Sequence, residues 1–222
     1  HWAAQQAASY FLNVHQRLSW NNLNAGCYVY QRLGWDNASA LSGNIIIGEA
    51  NSISYRDDNN TLDIVAHEYA HLVTETSAGL VYKKEQGALN ESFSDIFGVA
   101  CYEFNFGITN TIWLNGYDRT DVTNPNLHLV YRDLSNPKNY DQPDTYLGTN
   151  WYSTTGGYGD DNWGVHTNSG VQNYMFYLLV SGKDGVNENG WPYSVTGIGF
   201  NDARRIAYLA LTAYLTNNSQ YI

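Results

Sequence analysis

The chain has 222 residues, 43% of them hydrophobic and 15% aromatic, a composition typical of a folded globular protein rather than a disordered one. Its 11 Lys and Arg against 21 Asp and Glu give a net charge of -10, which repels nucleic acid phosphates and anionic membrane surfaces. Because the longest apolar runs, such as residues 174–180, are far shorter than the roughly 20 residues that cross a bilayer, no membrane-spanning segment is expected.

Helical and strand patterns alternate in the first part of the chain. Residues 3–18 repeat apolar side chains at helical spacing without Gly or Pro, and they predict a helix. Short runs of β-branched and aromatic residues predict strands at 27–30 and 45–47, with a third at 53–55. The N-terminal part is therefore expected to combine helices with a small sheet.

The rest of the chain is predicted to be mainly helical. Residues 62–77 carry an apolar stripe with helical period, and a further helix is expected to begin near Asn90, since Asn is a favourable N-cap residue. Residues 105–165 are rich in Asn, Asp, Gly and Tyr with little periodicity, and they predict loops. Helical spacing returns at 169–181 and 202–215.

The two cysteines, Cys27 and Cys101, match no metal-binding spacing. Buried free thiols are favoured for both residues over the one disulfide that they can form. They therefore place little constraint on the cellular compartment.

Residues 67–71, His-Glu-Tyr-Ala-His, form an HExxH pattern on the predicted helix 62–77. The i, i+4 spacing places His67 and His71 on one helical face, where both imidazoles can bind one zinc ion with Glu68 beside it. Two histidines also occur at this spacing by chance. A third ligand is therefore required, because catalytic zinc has three protein ligands and an open position for water.

Glu91 is the candidate for this third ligand. It lies 20 residues after His71 on the next predicted helix, and Asp95 follows it at i, i+4 on the same side. By itself this pattern favours a solvated acidic helix face with Asn90 as cap, but together with HExxH it favours a ligand. Because zinc-bound histidines usually donate their other N–H to a carboxylate or carbonyl, Asp95 and Asn90 are candidates to orient the imidazoles.

Three separated blocks of the sequence together resemble the thermolysin-like family of zinc metalloendopeptidases: HEYAH, GLVYKKEQGALNESFSDIFG and DNWGVHTNSGVQN. The similarity continues into NVHQRLSW near the start and VTGIGFNDARRIAYLALTAYLT near the end, so it covers essentially the whole chain. A match of three separated blocks is far more specific than HExxH alone.

This resemblance implies that His67, His71 and Glu91 bind zinc. It implies that Glu68 is the general base, which takes a proton from zinc-bound water and delivers it to the departing amine. The bound zinc is expected to polarise the carbonyl of the cleaved peptide bond.

The resemblance also implies an α+β, zincin-like fold. A β-containing N-terminal lobe is expected at 1–78 and a mainly helical C-terminal lobe at 79–222, with the HExxH helix between them. Family members begin before this chain starts and continue after it stops, so the chain is expected to be trimmed at both ends.

Tyr82 and His166 match the residues that hydrogen-bond the oxyanion in the family's transition state, and Asp161 matches the carboxylate that orients His166. From the residues alone, Tyr82 also suits an ordinary surface aromatic and His166 a loop or core histidine. The surrounding pattern D-N-x-G-V-H-x-N-S-G favours the family role for His166.

Further positions match substrate-binding residues of the family. Arg132 matches an arginine that binds the substrate carbonyl, although pairing with a neighbouring acid or capping a helix would also account for it. Asn37 and Ala38 match an edge strand that holds the substrate backbone as an added strand. The predicted pocket for the residue after the cleaved bond includes Tyr55 and Ile64.

The function implied by the resemblance is that of a secreted, extracellular and monomeric zinc endopeptidase acting on polypeptide substrates. Two alternatives stay open: a catalytically impaired zincin relic that holds metal or serves as a binding module, and an exopeptidase. The intact residues Glu68, Tyr82 and His166 argue against the relic, and no acidic exopeptidase signature stands out.

This chain is expected to depend on bound calcium less than its relatives do. The family builds a double calcium site from an Asp before the HExxH helix and several acids after the glutamate helix. Here Asp63 keeps the first position, but residues 102–118 offer only Glu103 and Asp118. Because two adjacent calcium ions need several carboxylates, the double site is expected to be lost, with a single weaker ion at Asp63 and Glu103 as the alternative.

Overall fold

The computed structural model describes residues 1–49, 59–118, 120–121, 124–155 and 159–221. Contacts between residues divide the chain into a first unit, His1–Ser77 with Phe97–Tyr131, and a second unit, Ala78–Ile96 with Arg132–Ile222. The strand predicted at 53–55 lies outside the described residues. None of the helices in the described ranges is both long and apolar enough to cross a membrane.

The first unit combines helices with a three-stranded sheet. Its regular elements are α1 (Trp2–His15), β1 (Tyr28–Leu33), β2 (Ala38–Leu41), β3 (Asn44–Glu49), α2 (Leu62–Glu75), the end of α3 (Lys84–Phe106), β4 (Leu114–Asn115), β5 (Thr120–Asp121) and β6 (Asn124–His128). In the sheet, β3 lies between β1, to which it is parallel, and β2, to which it is antiparallel. The strands predicted at 27–30 and 45–47 are confirmed as β1 and β3, whereas the Ala- and Ser-containing β2 has too weak a strand preference to be predicted.

Aromatic side chains from α1, α2 and α3 form the core of the first unit. The buried ring of Phe11 stacks on Tyr69 at a centroid distance of 5.6 Å and meets Phe97 at 5.3 Å. The helix α1 ends at His15 and not at residue 18, because Gln16 adopts a left-handed φ of 56° and donates its N–H to the Leu12 carbonyl. Both cysteines are free thiols, as expected; Cys101 is buried in α3, but Cys27 is only partly buried, contrary to the expectation.

The second unit is mainly helical, as predicted. After the start of α3 it contains β7 (Arg132–Asp133), a 3-10 turn (Pro137–Tyr140), α4 (Asp161–Asn168), α5 (Gly170–Ser181), β8 (Lys183–Val186), β9 (Pro192–Val195), α6 (Gly199–Leu209) and a π-helical turn (Ala210–Tyr214). The strands β8 and β9 form an antiparallel hairpin. The helices predicted at 169–181 and 202–215 correspond to α5 and to α6 with its π-helical turn.

The start of α3 differs from the prediction. The helix begins at Lys84, so Asn90 lies inside it and is not its N-cap. The side-chain amide of Asn90 instead donates to the Leu80 carbonyl at 3.2 Å. The residues that precede Asn90 include Lys, Glu, Gln, Ala and Leu, which are good helix formers, and they extend the helix in the N-terminal direction past the predicted cap.

The helices α2 and α3 approach closely at Gly98. A Cβ atom at this position would lie 2.7 Å from the carbonyl oxygen of Asp63 and 3.6 Å from the Cβ of His67. The absence of a side chain at Gly98 therefore sets the distance between the two helices beside the HExxH motif.

Replacing Gly98 by Ala is expected to lower the free energy of unfolding by about 1–3 kcal/mol, because the added methyl group meets a backbone carbonyl that cannot rotate away. The loss is expected despite the higher helix propensity of Ala. Thermal unfolding followed by circular dichroism measures it. Gly26→Ala is the matched control, since no atom lies within 4 Å of a Cβ at Gly26. Equal stability of Gly98→Ala and the unchanged chain would contradict the close packing.

Candidate metal centre

The two histidines of the HExxH motif point their ring nitrogens toward each other on α2. The Nε2 atoms of His67 and His71 are 3.0 Å apart, and the ring centroids are 4.6 Å apart. Two Zn–N bonds of about 2.0–2.1 Å at a tetrahedral angle place the nitrogens about 3.3 Å apart. The observed separation therefore suits two imidazoles that share one metal ion.

Glu91, the predicted third ligand, lies on α3 in the second unit, whereas His67 and His71 lie on α2 in the first unit. Glu91 is 1% exposed, which makes a charged partner for its carboxylate important. Two imidazoles and a carboxylate form the donor set of a catalytic zinc site with an open fourth position.

Tyr82 and His166, the predicted oxyanion-binding pair, lie together beside Glu91 in the second unit. The Tyr82 hydroxyl donates to the Glu91 carboxylate and lies 3.2 Å from Nε2 of His166. The same Nε2 atom is 3.3 Å from Oε1 of Glu91. Tyr82 precedes α3 and His166 lies on α4, so the fold brings together residues that are 84 positions apart.

Asp161, the predicted orienting carboxylate, binds His166 at two points. Nδ1 of His166 is 2.5 Å from Oδ1 of Asp161, and the backbone N–H of His166 donates to Oδ2 at 2.9 Å. A proton on Nδ1 leaves Nε2 to face Tyr82 and Glu91. Burial disfavours the imidazolium, but the negative charge of Glu91 and the hydrogen bond to Asp161 together raise the pKa of His166 above its ordinary value.

A left-handed turn presents Asp161 to His166. Asp161, Asn162, Trp163 and Gly164 all have φ between 50° and 75°, a conformation that costs a bulky residue such as Trp163 roughly 1–2 kcal/mol. The Trp163 ring lies 5.3 Å from the ammonium of Lys84 at the start of α3. These positive φ angles also explain why α4 was not predicted, since the period of a right-handed helix is absent from its first half.

Asp95, one turn after Glu91, is held in a buried polar network. Arg132 donates Nε to Oδ2 of Asp95 at 2.7 Å and Nη2 to Oδ1 at 2.6 Å. The Asn173 amide donates to Oδ2 at 2.8 Å, and its own oxygen accepts the Ser92 hydroxyl at 2.7 Å. Burial opposes the guanidinium charge, but the Asp95 carboxylate dominates and raises the pKa of Arg132 above its ordinary value.

Sequence reasoning missed Asn173 and Gln142. Asn173 lies in α5, whose pattern is mainly apolar. A polar side chain next to Tyr, Met, Phe and Leu was the signal that could have identified it. Gln142 donates its amide to the His166 carbonyl at 2.5 Å from a loop without periodicity, and no sequence signal distinguishes it.

Of the other predicted substrate-binding residues, Asn37 and Ala38 lie where β2 begins, and Ile64 lies on α2. Ala38 opens β2, which is an outer strand of the sheet as far as the chain is described, and the carbonyl of Asn37 accepts the Gly48 N–H at 2.7 Å. Ile64 is buried on α2. Tyr55 lies outside the described residues.

The chain is similar to known proteins over its whole length. Two family models match the chain: Thermolysin metallopeptidase, catalytic domain, over residues 1–75, and Thermolysin metallopeptidase, alpha-helical domain, over residues 78–222. Bacillolysin from Brevibacillus brevis is 39% identical, and Thermolysin from Alicyclobacillus acidocaldarius subsp. acidocaldarius is 38% identical, each over 100% of this chain. The chain spans 38% of the length of each of these two relatives.

A solved structure is also similar. The precursor of protealysin, a metalloproteinase from Serratia proteamaculans, superposes with a TM-score of 0.77 at 25% sequence identity. The match covers 99% of this chain and 66% of that one. The α+β fold with a mainly helical C-terminal part therefore agrees with the fold of this relative.

Replacing Arg132 by Gln is expected to lower the free energy of unfolding by about 3–5 kcal/mol, because Asp95 would stay buried without its counter-charge. Denaturant unfolding measures the loss. Lys138→Gln is the matched control: Lys138 pairs with Asp144 and Glu188 at 3.0 and 3.3 Å. This second pairing is partly exposed to solvent, so a loss below about 1 kcal/mol is expected. Similar losses in the two variants would show that burial does not govern the strength of the Asp95–Arg132 pair.

Proposed function

The chain belongs to the thermolysin family of metallopeptidases, and we propose that it is the catalytic part of a zinc endopeptidase that cleaves internal peptide bonds of polypeptides. The environment of Glu91 carries this proposal. Its carboxylate accepts the hydroxyl of Tyr82 and lies 3.3 Å from Nε2 of His166. The predicted third zinc ligand and the predicted oxyanion-binding pair therefore meet at one side chain.

Zinc is the metal that this donor set suits best, because two imidazoles and one carboxylate leave a position open for water or substrate. We propose His67, His71 and Glu91 as its ligands. Asn90 and Asp95, which would not bind the metal themselves, are proposed to orient these ligands through hydrogen bonds. Bound zinc would supply a Lewis acid for the substrate carbonyl and a water molecule of lowered pKa.

Glu68 is proposed as the general base. It follows His67 on α2 and is 6% exposed, so bulk water has little access to its carboxylate. There it would accept the proton of the attacking water and deliver it to the nitrogen of the departing amine.

Tyr82 and His166 are proposed to stabilise the negative charge that develops on the substrate oxygen. The Tyr82 hydroxyl and Nε2 of His166 are 3.2 Å apart, so both donors can reach a single oxygen atom. Asp161 holds the other ring nitrogen of His166. Loss of one such donor typically lowers the rate about 100- to 1000-fold.

Substrate binding is proposed to involve Arg132, Asn37, Ala38, Ile64 and Tyr55. The Arg132 guanidinium uses Nε and Nη2 for Asp95, and the remaining Nη1 is suited to donate to a substrate carbonyl. An outer strand such as β2 offers backbone groups to an extended peptide. Ile64 and Tyr55 are proposed to line the pocket for the residue after the cleaved bond. The family resemblance supports export from the cell and action as a monomer.

The chain is expected to cleave an unstructured protein such as reduced casein at internal bonds and to lose this activity on addition of a zinc chelator. Glu68→Gln is expected to abolish turnover with zinc still bound, because Glu68 is a base and not a ligand. Glu91→Gln is expected to lower zinc content, because a carboxylate ligand is lost. Peptide mass spectrometry and metal analysis of the three proteins measure both effects.

The two substitutions are controls for each other, since both exchange a buried carboxylate for an amide on neighbouring helices. Equal zinc loss in the two variants would contradict the assigned roles. A wild-type chain that binds zinc but produces no internal cuts would support the alternative of a metal-binding zincin relic. Products released only from chain ends would indicate an exopeptidase.

Calcium is the second metal that the family implies, and the surroundings of Asp63 do not fit it. Oδ2 of Asp63 accepts the Gly116 N–H at 2.6 Å, and Oδ1 accepts the Thr61 hydroxyl at 2.7 Å. Burial raises the pKa of Asp63 above its ordinary value. Calcium requires six to eight oxygen ligands, whereas the pocket beside Asp63 offers one further carboxylate, that of Asp118, next to the hydroxyl group of Thr111 and the aliphatic side chains of Ile112 and Leu114. We propose that hydrogen-bond donors replace calcium in this part of the first unit.

With zinc held constant, raising calcium through the millimolar range is expected to leave the melting temperature nearly unchanged, because no native calcium site at Asp63 would be filled. Asp63→Asn is the matched variant, since the amide keeps an oxygen acceptor but loses the charge. A large calcium-dependent rise in melting temperature that disappears in Asp63→Asn would show that the site is present. A rise that persists in this variant would place calcium elsewhere.

A further inference from the structure

The segment 216–221, which follows the π-helical turn, contacts residues that lie next to Tyr82 and His166 in the sequence. It has a tight turn of its own: the Thr216 N–H donates to the Ser219 hydroxyl at 3.0 Å, and the Ser219 N–H donates to the Thr216 carbonyl at 3.1 Å. The turn restricts the conformations of the segment and so favours its contacts with neighbouring parts of the second unit.

One contact reaches the loop that carries Tyr82. The carbonyl of Asn217 accepts the N–H of Val81 at 3.2 Å, and Val81 directly precedes Tyr82. The loop is fixed further by the Asn90 side chain, which donates to the Leu80 carbonyl. Tyr82 itself is 39% exposed, so its position depends on how well the backbone on either side is held.

A second contact reaches the helix that carries His166. The Tyr221 hydroxyl donates to the carbonyl of Asn168 at 2.8 Å, two residues after His166 on α4. The buried Asn168 side chain also bonds to both the N–H and the carbonyl of Tyr152 at 2.9 Å. Tyr221 therefore binds α4 at Asn168, a residue whose side chain is itself held by two hydrogen bonds.

A third contact joins the segment to the first turn of α3. Oε2 of Glu85 accepts the Tyr221 N–H at 3.3 Å, while Oε1 accepts the Tyr146 hydroxyl at 3.0 Å. The rings of Tyr146 and Trp151 each lie 5.9 Å from the Tyr221 ring. Burial and the charge of Glu85 raise the pKa of Tyr221 above its ordinary value, so the phenol stays a neutral donor.

We propose that the segment 216–221 is a positioning element for the oxyanion-binding pair, with Tyr221 as its principal positioning residue. The inference rests on the proposed function of Tyr82 and His166. Their polar atoms must stay about 3 Å apart to meet one oxygen, although both side chains are substantially exposed. Tyr221 acts at a distance from the reacting atoms, by tying α4 to the start of α3 and to the loop before it.

Tyr221→Phe tests the proposal, because it removes one hydroxyl and keeps the ring between Tyr146 and Trp151. Hydrogen–deuterium exchange is expected to accelerate in peptides that cover Val81–Tyr82 and His166–Asn168, with unchanged exchange in β1 and β3. Loss of one hydrogen bond is expected to lower kcat about 3- to 10-fold, with KM and zinc content unchanged. Tyr214→Phe is the control, since Tyr214 is 79% exposed and its variant is expected to match the unchanged chain in both measurements.

A double-mutant cycle with Tyr82→Phe separates positioning from general stability. If Tyr221 acts through the pair, Tyr221→Phe is expected to cause little further loss of kcat once the Tyr82 hydroxyl is gone. Additive losses, or unchanged exchange at both peptides, would overturn the proposal. The exchange measurement needs no turnover. A chain without peptidase activity would therefore refute the proposed function, while the exchange rates would still support or overturn the positioning role.

Discussion

Two carboxylates on consecutive turns of α3 are almost completely buried, and the second unit is arranged around the partners they require. Glu91 and Asp95 are 1% and 0% exposed. A buried carboxylate without compensation costs several kcal/mol, so charge and hydrogen bonds must come from distant parts of the chain. Arg132 meets Asp95, while Tyr82 and His166 meet Glu91. Packing of the loop before α3, of β7 and of α4 thus follows from the electrostatic demands of one helix.

The two carboxylates differ in what their partners leave available. Asp95 receives a bidentate guanidinium, which neutralises its charge and fixes its geometry, so it is suited to a structural or orienting role. Glu91 is approached by a neutral hydroxyl and by a histidine. The guanidinium engages both oxygens of Asp95, whereas Glu91 is the carboxylate that the HExxH pattern predicts as the third zinc ligand.

Asp63 in the first unit is also a buried acid whose oxygens require hydrogen-bond partners. Its two oxygens accept a backbone N–H and a hydroxyl, and its pocket includes aliphatic side chains. Such donors satisfy a buried carboxyl group without an ion. The buried acids Asp63 and Glu91 are thus distinguished by their neighbours: Asp63 accepts from a backbone N–H and a hydroxyl, whereas Glu91 contacts a hydroxyl and a histidine.

The sequence by itself determined the local features of this protein. Helical period fixed α2 and α5, and the i, i+4 spacing of His67 and His71 fixed their common face, because helix geometry depends only on residues a few positions apart. The motif blocks around Glu91 and His166 indicated the family and the candidate site. The start of α3 was wrongly predicted, since helix-forming residues before Asn90 outweighed a cap signal.

Only the tertiary structure decided how these local features meet. The 3.2 Å approach of Tyr82 to His166, the pairing of Asp95 with Arg132 and the reach of Tyr221 across to Asn168 each join residues at least 37 positions apart. No periodicity encodes such distances. They result from burying polar groups that must find partners wherever the folded chain brings a donor or a charge within about 3 Å.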